Sequence, residues 1–391
     1  MRDEILYLTE LCRGYLNSDE VTLKENIDYS LLYSVSKSHN LSPTLFCVIN
    51  TSKNKELVPE EVFKKFENDF YEAYMRHDLQ QKIIDELKEV LGGGGIRHVF
   101  FKGAEIKEYY PVPQARVMGD IDVLIDADKR DRAKKLLTDN GFELINSNGP
   151  VYDYSKDGIK IEVHTRIISG KVGNAYAEEG FIDAVDNAVY IGSTGYLDKS
   201  YHFAYLIAHI AHHFWFYGAG IKLILDLAVM QRDFNIDYDA VFKKLDEIGL
   251  GDFGRVILSV CYKWFGTGQS YTNDTEKTER FLLSHGAFGK ANRNNAAVVT
   301  RKELENGKNS SSLLTKIKLL FPSYEKLKYI PYIKFIEGRP YLTPAAWVYR
   351  IYYNFKYRRD FIKSATEKIG SDETKSDAEK ELAYFKEIGL L

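Results

Sequence analysis

The chain has 391 residues, 45% hydrophobic and 28% charged, with a formal net charge of −3 at pH 7. This is the composition of a water-soluble globular protein of two or three domains, with no overall charge claim on nucleic acid or membrane. Three scattered cysteines, Cys12, Cys47 and Cys261, offer neither a disulfide framework nor a zinc knuckle and fit a reducing cytoplasm. The acidic start MRDEILYL lacks the basic and apolar regions of a signal peptide. No run of 18 uncharged apolar residues is present to span a bilayer.

Residues 1–95 read as helices. Ile5, Leu8, Leu11 and Cys12 form an apolar stripe at helical spacing, and 28–50 is a second helical region. Val58-Pro59-Glu60-Glu61 starts a long amphipathic helix that runs to about Leu91. Gly92–Gly95 then ends it. The run lacks the G-x-x-x-x-G-K pattern and precedes a strand, so a helix stop is favoured over a phosphate loop. His98–Gly103 reads as a strand closing in a tight turn. Ala104–Tyr110 is a short helix ended by Pro111 and Pro113.

Gly119–Ile125 is the stretch with chemistry in it. Alternation turns Ile121, Val123 and Ile125 to one face, and Asp120 and Asp122 to the other, about 7 Å apart. Like charges that close repel, and a divalent cation would relieve them; oxygen ligands suit magnesium or manganese. A solvated polar face is the competing reading. Asp128–Asn140 follows as a helix with Asp128 as N-cap and Gly141 just past its end. Phe142–Ile145, Val151–Tyr154 and Ile159–His164 are strands, the last two joined by an Asp157-Gly158 turn. In the last strand Ile159, Ile161 and Val163 face a core, while Lys160, Glu162 and His164 face the other way.

From about 197 the chain is helical. His202–Tyr217 and Ile221–Arg232 flank Gly218-Ala219-Gly220, and Tyr238–Ile248 and Arg255–Phe265 follow. Residues 266–312 are polar and read as loop or flexible insertion. Residues 311–363 carry eleven Lys/Arg against three acids, with many aromatics between them. They could track RNA with stacked bases, but four prolines favour packed pieces whose aromatics are core. Ser376 and Glu379 read as a capping box. The organisation expected is 1–95 helical, 96–196 an α/β core, 197–310 helical with the polar segment near its end, and 311–391 basic and aromatic.

Lys102-Gly103, Arg116, Gly119-Asp120-Ile121-Asp122 and Glu162-Val163-His164, in that order, resemble the nucleotidyltransferase superfamily that includes DNA polymerase β. The closer resemblance is to its uncharacterised bacterial branch. His209, His212-His213, Gly220-Ile221-Lys222, Asp226 and the stretch Leu342–Arg350 also match that branch. The resemblance spans about 95–355. It implies an α+β fold: a polymerase-β-like α/β module, a mixed sheet with flanking helices, within a largely helical chain. It implies a nucleotidyltransferase that moves a nucleoside monophosphate from a triphosphate, ATP by default, to an acceptor hydroxyl and releases pyrophosphate. Two Mg2+ or Mn2+ ions would be shared by Asp120 and Asp122, with Glu162 as the third carboxylate where the family often has aspartate. Lys102, Gly103, Arg116, Gly119 and His164 would bind nucleotide or phosphate. Gly103-Ala104 replaces the usual glycine-serine or glycine-glycine turn.

Structural readings stand beside these. Lys102 could pair with a site carboxylate, Arg116 could form a salt bridge, and His164 could orient Glu162. His202, Leu206, His209 and His213 share one helical stripe, which could be core, a polar seam on the nucleotide cleft or a metal site. Asp226 in an apolar helix needs a partner, and a histidine of the preceding helix is the natural one; a substrate role is the minor alternative. Two other functional readings remain open: a nucleotide-binding scaffold without turnover, and a toxin-like enzyme modifying tRNA. The acceptor could be a small molecule, a protein or RNA.

Overall fold

In the computed structural model the residues described are 2–147, 149–168, 170–216, 218–286, 321–327, 330–336, 338–357 and 372–391. Three helices lead: α1 (Arg2–Asn17), α2 (Tyr29–Ser38) and α3 (Ser42–Thr51). Asp28 caps α2 by accepting from the N–H groups of Ser30 and Leu31. The next helix, α4 (Glu60–Gly93), has 34 residues and so extends about 50 Å. Its first turn carries Glu60 and Glu61, which suit the positive end of the helix. At its far end Gly95 takes φ +65°, and the Ile96 N–H returns to the Leu91 carbonyl. The glycine run is a helix stop.

The sheet region then runs β1 (His98–Phe100), α5 (Gly103–Ile106), β2 (Asp120–Ile125), α6 (Arg130–Asp139), β3 (Glu143–Asn146), β4 (Val151–Lys156), β5 (Ile159–His164), α7 (Ala177–Gly180), β6 (Val189–Ile191) and β7 (Thr194–Tyr196). The seven strands form one mixed sheet in the order β3-β4-β5-β2-β1-β7-β6. The β2–β5 and β1–β7 pairs are parallel and the rest antiparallel. An α+β module with a mixed sheet and flanking helices is therefore the observed architecture. β6 and β7 were not anticipated; strands of three residues are too short for an alternation to register. Asp128 does not cap α6. It lies in a 3-10 turn, Ala127–Lys129, that precedes the helix, and no side chain caps that end.

One face of the sheet makes the core. Ile121, Val123 and Ile125 of β2 and Ile159, Ile161 and Val163 of β5 pack with Ile83, Ile84, Leu87 and Leu91 of α4 and Ala133 and Leu137 of α6. This burial fixes strand register, since a slip of one residue would turn every isoleucine outward. It also fixes the carboxylates on the opposite face.

Five helices follow: α8 (Lys199–Phe216), α9 (Ile221–Asp233), α10 (Tyr238–Ile248), α11 (Gly251–Phe265) and α12 (Glu276–His285). α8 begins at Lys199, earlier than His202, because Asp198 accepts from the N–H groups of Ser200 and Tyr201. Ile221–Met230 of α9 is buried throughout. α12 lies inside the stretch expected to be loop; residues 287–312 of that stretch are outside the described residues.

The chain divides into two compact units, Met1–Ala291 with Ile388–Leu391, and Asn292–Glu387. The second has a small core of Leu327, Ile333, Ile336 and Ala346. Its helix Thr343–Tyr357 leaves Val348, Ile351, Tyr352 and Phe355 exposed, so the aromatics there are not all core. The helix Asp372–Glu387 holds Ser376 and Glu379 within it, not at its start. Among the described residues no helix is long and apolar enough to cross a membrane.

Candidate active site

Parallel pairing of β2 with β5 sets Asp120 beside Lys160, Asp122 beside Glu162 and Leu124 beside His164. Strand alternation places all of them on the face away from the isoleucine core. Two carboxylates directly opposite each other on neighbouring strands are destabilising unless compensated, and Asp122 is 3% exposed. Two lysines and a histidine compensate. The Lys102 ammonium donates to Asp122 Oδ1 at 2.8 Å. His164 Nε2 lies 2.9 Å from the same oxygen and 3.3 Å from Glu162 Oε2. Lys160 contacts Glu162 from the strand's outer end.

The electrostatics follow. Burial pushes the Asp122 carboxyl up, but Lys102 and His164 overcome it and hold the group below its ordinary range. The His164 contact lowers Glu162, against its burial and with help from Lys160. Burial lowers His164, but its bonds to both acids raise it overall. Asp120 behaves differently. Burial and the neighbouring charges of Asp122 and Glu162 push it up to about 6, with Lys102 and Lys160 opposing.

Donor atoms of Asp122, Glu162 and His164 lie within 4.8 Å of one another, close enough to share one ion. Asp120 is two residues further toward the strand's start. The donor set of two or three carboxylates and an imidazole suits Mn2+ and admits Mg2+ through the oxygens. A divalent ion fits Asp122, Glu162 and His164 on this donor geometry.

Lys102 follows β1 with φ +51° and ψ −129°, a region that costs a lysine about 1–3 kcal/mol. Its backbone N–H points at His202 Nε2, 3.3 Å away. Gly103 is needed by its neighbours: a Cβ there would lie 2.7 Å from Arg116 Nη1 and 2.9 Å from Met118 Cγ. Arg116 and Met118 thus approach the Gly103 backbone closely. Of the two readings of Arg116, the salt bridge is the contact present. It is buried, and its Nε and Nη2 donate to Asp226 at 2.8 and 2.7 Å. A fork so engaged is a structural clamp. Asp226 further accepts from the Tyr110 hydroxyl at 2.7 Å, so its partners are Arg116 and Tyr110 in place of the expected histidine. Gly119 is exposed with open space where a Cβ would stand, and its carbonyl accepts from Arg76 at 2.9 Å.

α8 brings a second set of residues. His209 and His213 are joined through Nε2 atoms 3.2 Å apart. Burial and nearby cations, Lys102 among them, lower His209 well below its usual range, His212 to about 4 and His213 to about 3. Burial thus favours the uncharged form of all three. Tyr205 is fully buried, stacked near His202 and His209 and edge-on to Phe101. On α9 the Lys222 ammonium donates to the Val117 carbonyl at 3.0 Å, and burial brings it down to about 8. Arg76, Gln80 and Lys222 each hold a carbonyl of the segment 117–119 that leads into β2. None of Tyr205, Arg76 or Gln80 stood out in the sequence. They lie on ordinary amphipathic or apolar stretches, and only the packing brings them to this site.

A mixed sheet with flanking helices and paired acids on facing strands is the layout of an α+β nucleotidyltransferase module. The chain matches the family described as "Uncharacterised nucleotidyltransferase" over residues 25–266, more than half its length, and belongs to that family. No curated protein and no solved structure matches it.

Proposed function

We propose that the chain is a divalent-cation-dependent nucleotidyltransferase using Asp120, Asp122 and Glu162 as its carboxylate centre. The observation that carries this is the facing of Asp122 and Glu162 on a buried sheet face, with Asp120 beside them pushed up to about 6. The acceptor hydroxyl attacks the α-phosphorus of a nucleoside triphosphate, the bond to the α–β bridging oxygen breaks, and pyrophosphate leaves with that electron pair. ATP is the donor by family resemblance. Divalent ions held by Asp120, Asp122 and Glu162, with His164 as a further donor, would stabilise charge on the attacking and leaving oxygens. Glu162 completes the ion's shell or takes the acceptor proton, and Lys102 offsets phosphate charge. The exposed Gly119 leaves room for phosphate at the strand's start.

The test is transfer of labelled nucleotide to acceptors in a cell extract, with pyrophosphate release measured in parallel. Asp120→Asn and Asp122→Asn are each expected to lower turnover at least a hundredfold with folding intact. Full turnover in both variants would rule the reading out. A scaffold without turnover is the second reading, favoured by the engagement of Asp122 by both Lys102 and His164. It predicts magnesium-dependent binding of triphosphate with no pyrophosphate release. RNA as acceptor draws support from the exposed aromatics of Thr343–Tyr357, and predicts RNA binding that falls steeply with salt.

A further inference from the structure

The conformation of Lys102 needs a hold from outside, because φ +51° is one that a lysine seldom keeps unaided. Its ammonium is held by Asp122. Its backbone is held by His202, whose Nε2 accepts the Lys102 N–H at 3.3 Å. An imidazole that accepts at Nε2 carries its proton on Nδ1. That nitrogen lies 3.1 Å from Glu105 Oε2, in a pocket where His202 is fully buried. Glu105 is itself fixed through its other oxygen, by the Lys199 ammonium at 2.5 Å and the Tyr109 hydroxyl at 2.6 Å. The carboxylate lies at ion-pair distance without hydrogen-bond alignment, and its charge favours the proton on Nδ1, the tautomer in which the histidine can accept. Glu105, His202, Lys102 and Asp122 follow one another in space.

We propose that Glu105 and His202 are positioning residues: they hold the Lys102 backbone in the positive-φ conformation that keeps its ammonium on Asp122, and so set the charge of the carboxylate centre. The inference rests on the reading of that centre as the transfer site. Neither residue touches the acids itself; both act through Lys102. Packing alone is the rival account, since the His202 ring also lies against Tyr205. The two accounts separate on a pair of variants. His202→Gln places an amide near the lost Nε2 and can still accept the Lys102 N–H. His202→Asn places its amide near the lost Nδ1 and cannot reach it. Both remove the ring.

The experiment is trace acylation of lysines in the full chain, without metal or nucleotide, read residue by residue by mass spectrometry. Exposed Lys64 serves as the internal reference, and thermal melting checks folding. Lys102, ion-paired in the wild type, is expected to acylate slowly. In His202→Asn its rate should rise at least fivefold relative to Lys64, and in His202→Gln it should stay within twofold of wild type. An equal rise in both variants, or no rise in a folded His202→Asn protein, overturns the proposal. Should His202→Asn not fold, Glu105→Gln replaces it: loss of the tautomer selection should raise Lys102 acylation about two- to fivefold, and an unchanged rate overturns the proposal. Mn2+ binding followed by electron paramagnetic resonance on the wild type is the separate arm. Its absence would sink the transferase reading and leave the acylation contrast to decide the positioning role.

Discussion

Glu105 is the residue where charge and stability are most directly linked. Burial pushes its carboxyl up, but His202 and Lys199 outweigh that and hold it down at about 2, against an ordinary value of 4.5. A carboxyl with a depressed folded-state value contributes stability that is complete above about pH 4.5 and is lost as pH falls toward 2. The size is on the order of 3 kcal/mol. Glu105→Gln should therefore destabilise at pH 7 and flatten the acid limb of a stability–pH curve measured by urea unfolding. A variant whose acid limb matches the wild type would place the source elsewhere. Arg116 teaches a related lesson. Its charge and its place before the acidic strand suggested a phosphate ligand, yet Asp226 takes both arms of its fork. One residue's chemistry was legible, and its partner was not.

At the scale of elements, the strand β2 is held from both sides. α9 grips the segment before it through Asp226 on Arg116 and Lys222 on Val117, and α4 grips it through Gln80 and Arg76 on Met118 and Gly119. Asp226→Ala leaves the Arg116 charge buried and unpaired, which costs about 3–5 kcal/mol. Guanidinium unfolding should show that loss; a change below about 1 kcal/mol would mean Arg116 finds water or another acid. Beneath the strand, Leu87 of α4 is fully buried in the sheet core. Leu87→Ala should destabilise by about 2–5 kcal/mol, by the same measurement, with little effect on nucleotide affinity because it lies across the sheet from the acids.

For the whole molecule, the functional reading makes a thermodynamic claim. A triphosphate with Mg2+ that binds only the folded chain stabilises it by about 2.7 kcal/mol at a hundredfold excess over its Kd. Melting in the presence of ATP and Mg2+ should therefore rise. It should not rise with Mg2+ chelated, nor in Asp122→Asn. A rise that survives chelation would place the nucleotide away from the carboxylate centre.

The acidic strand, the polar face of Glu162 and His164, and the helix stop after α4 are written in the local sequence. These are readable because they depend on alternation and on backbone preferences, which are local. It also carried the ordered motifs that mark the family. That Asp122 lies opposite Glu162, that Asp226 pairs with Arg116, and that His202 reaches the Lys102 backbone a hundred residues away follow from packing between distant elements. Strand register and helix docking are set by the shared burial of isoleucines and leucines from distant parts of the chain. No single stretch contains that information.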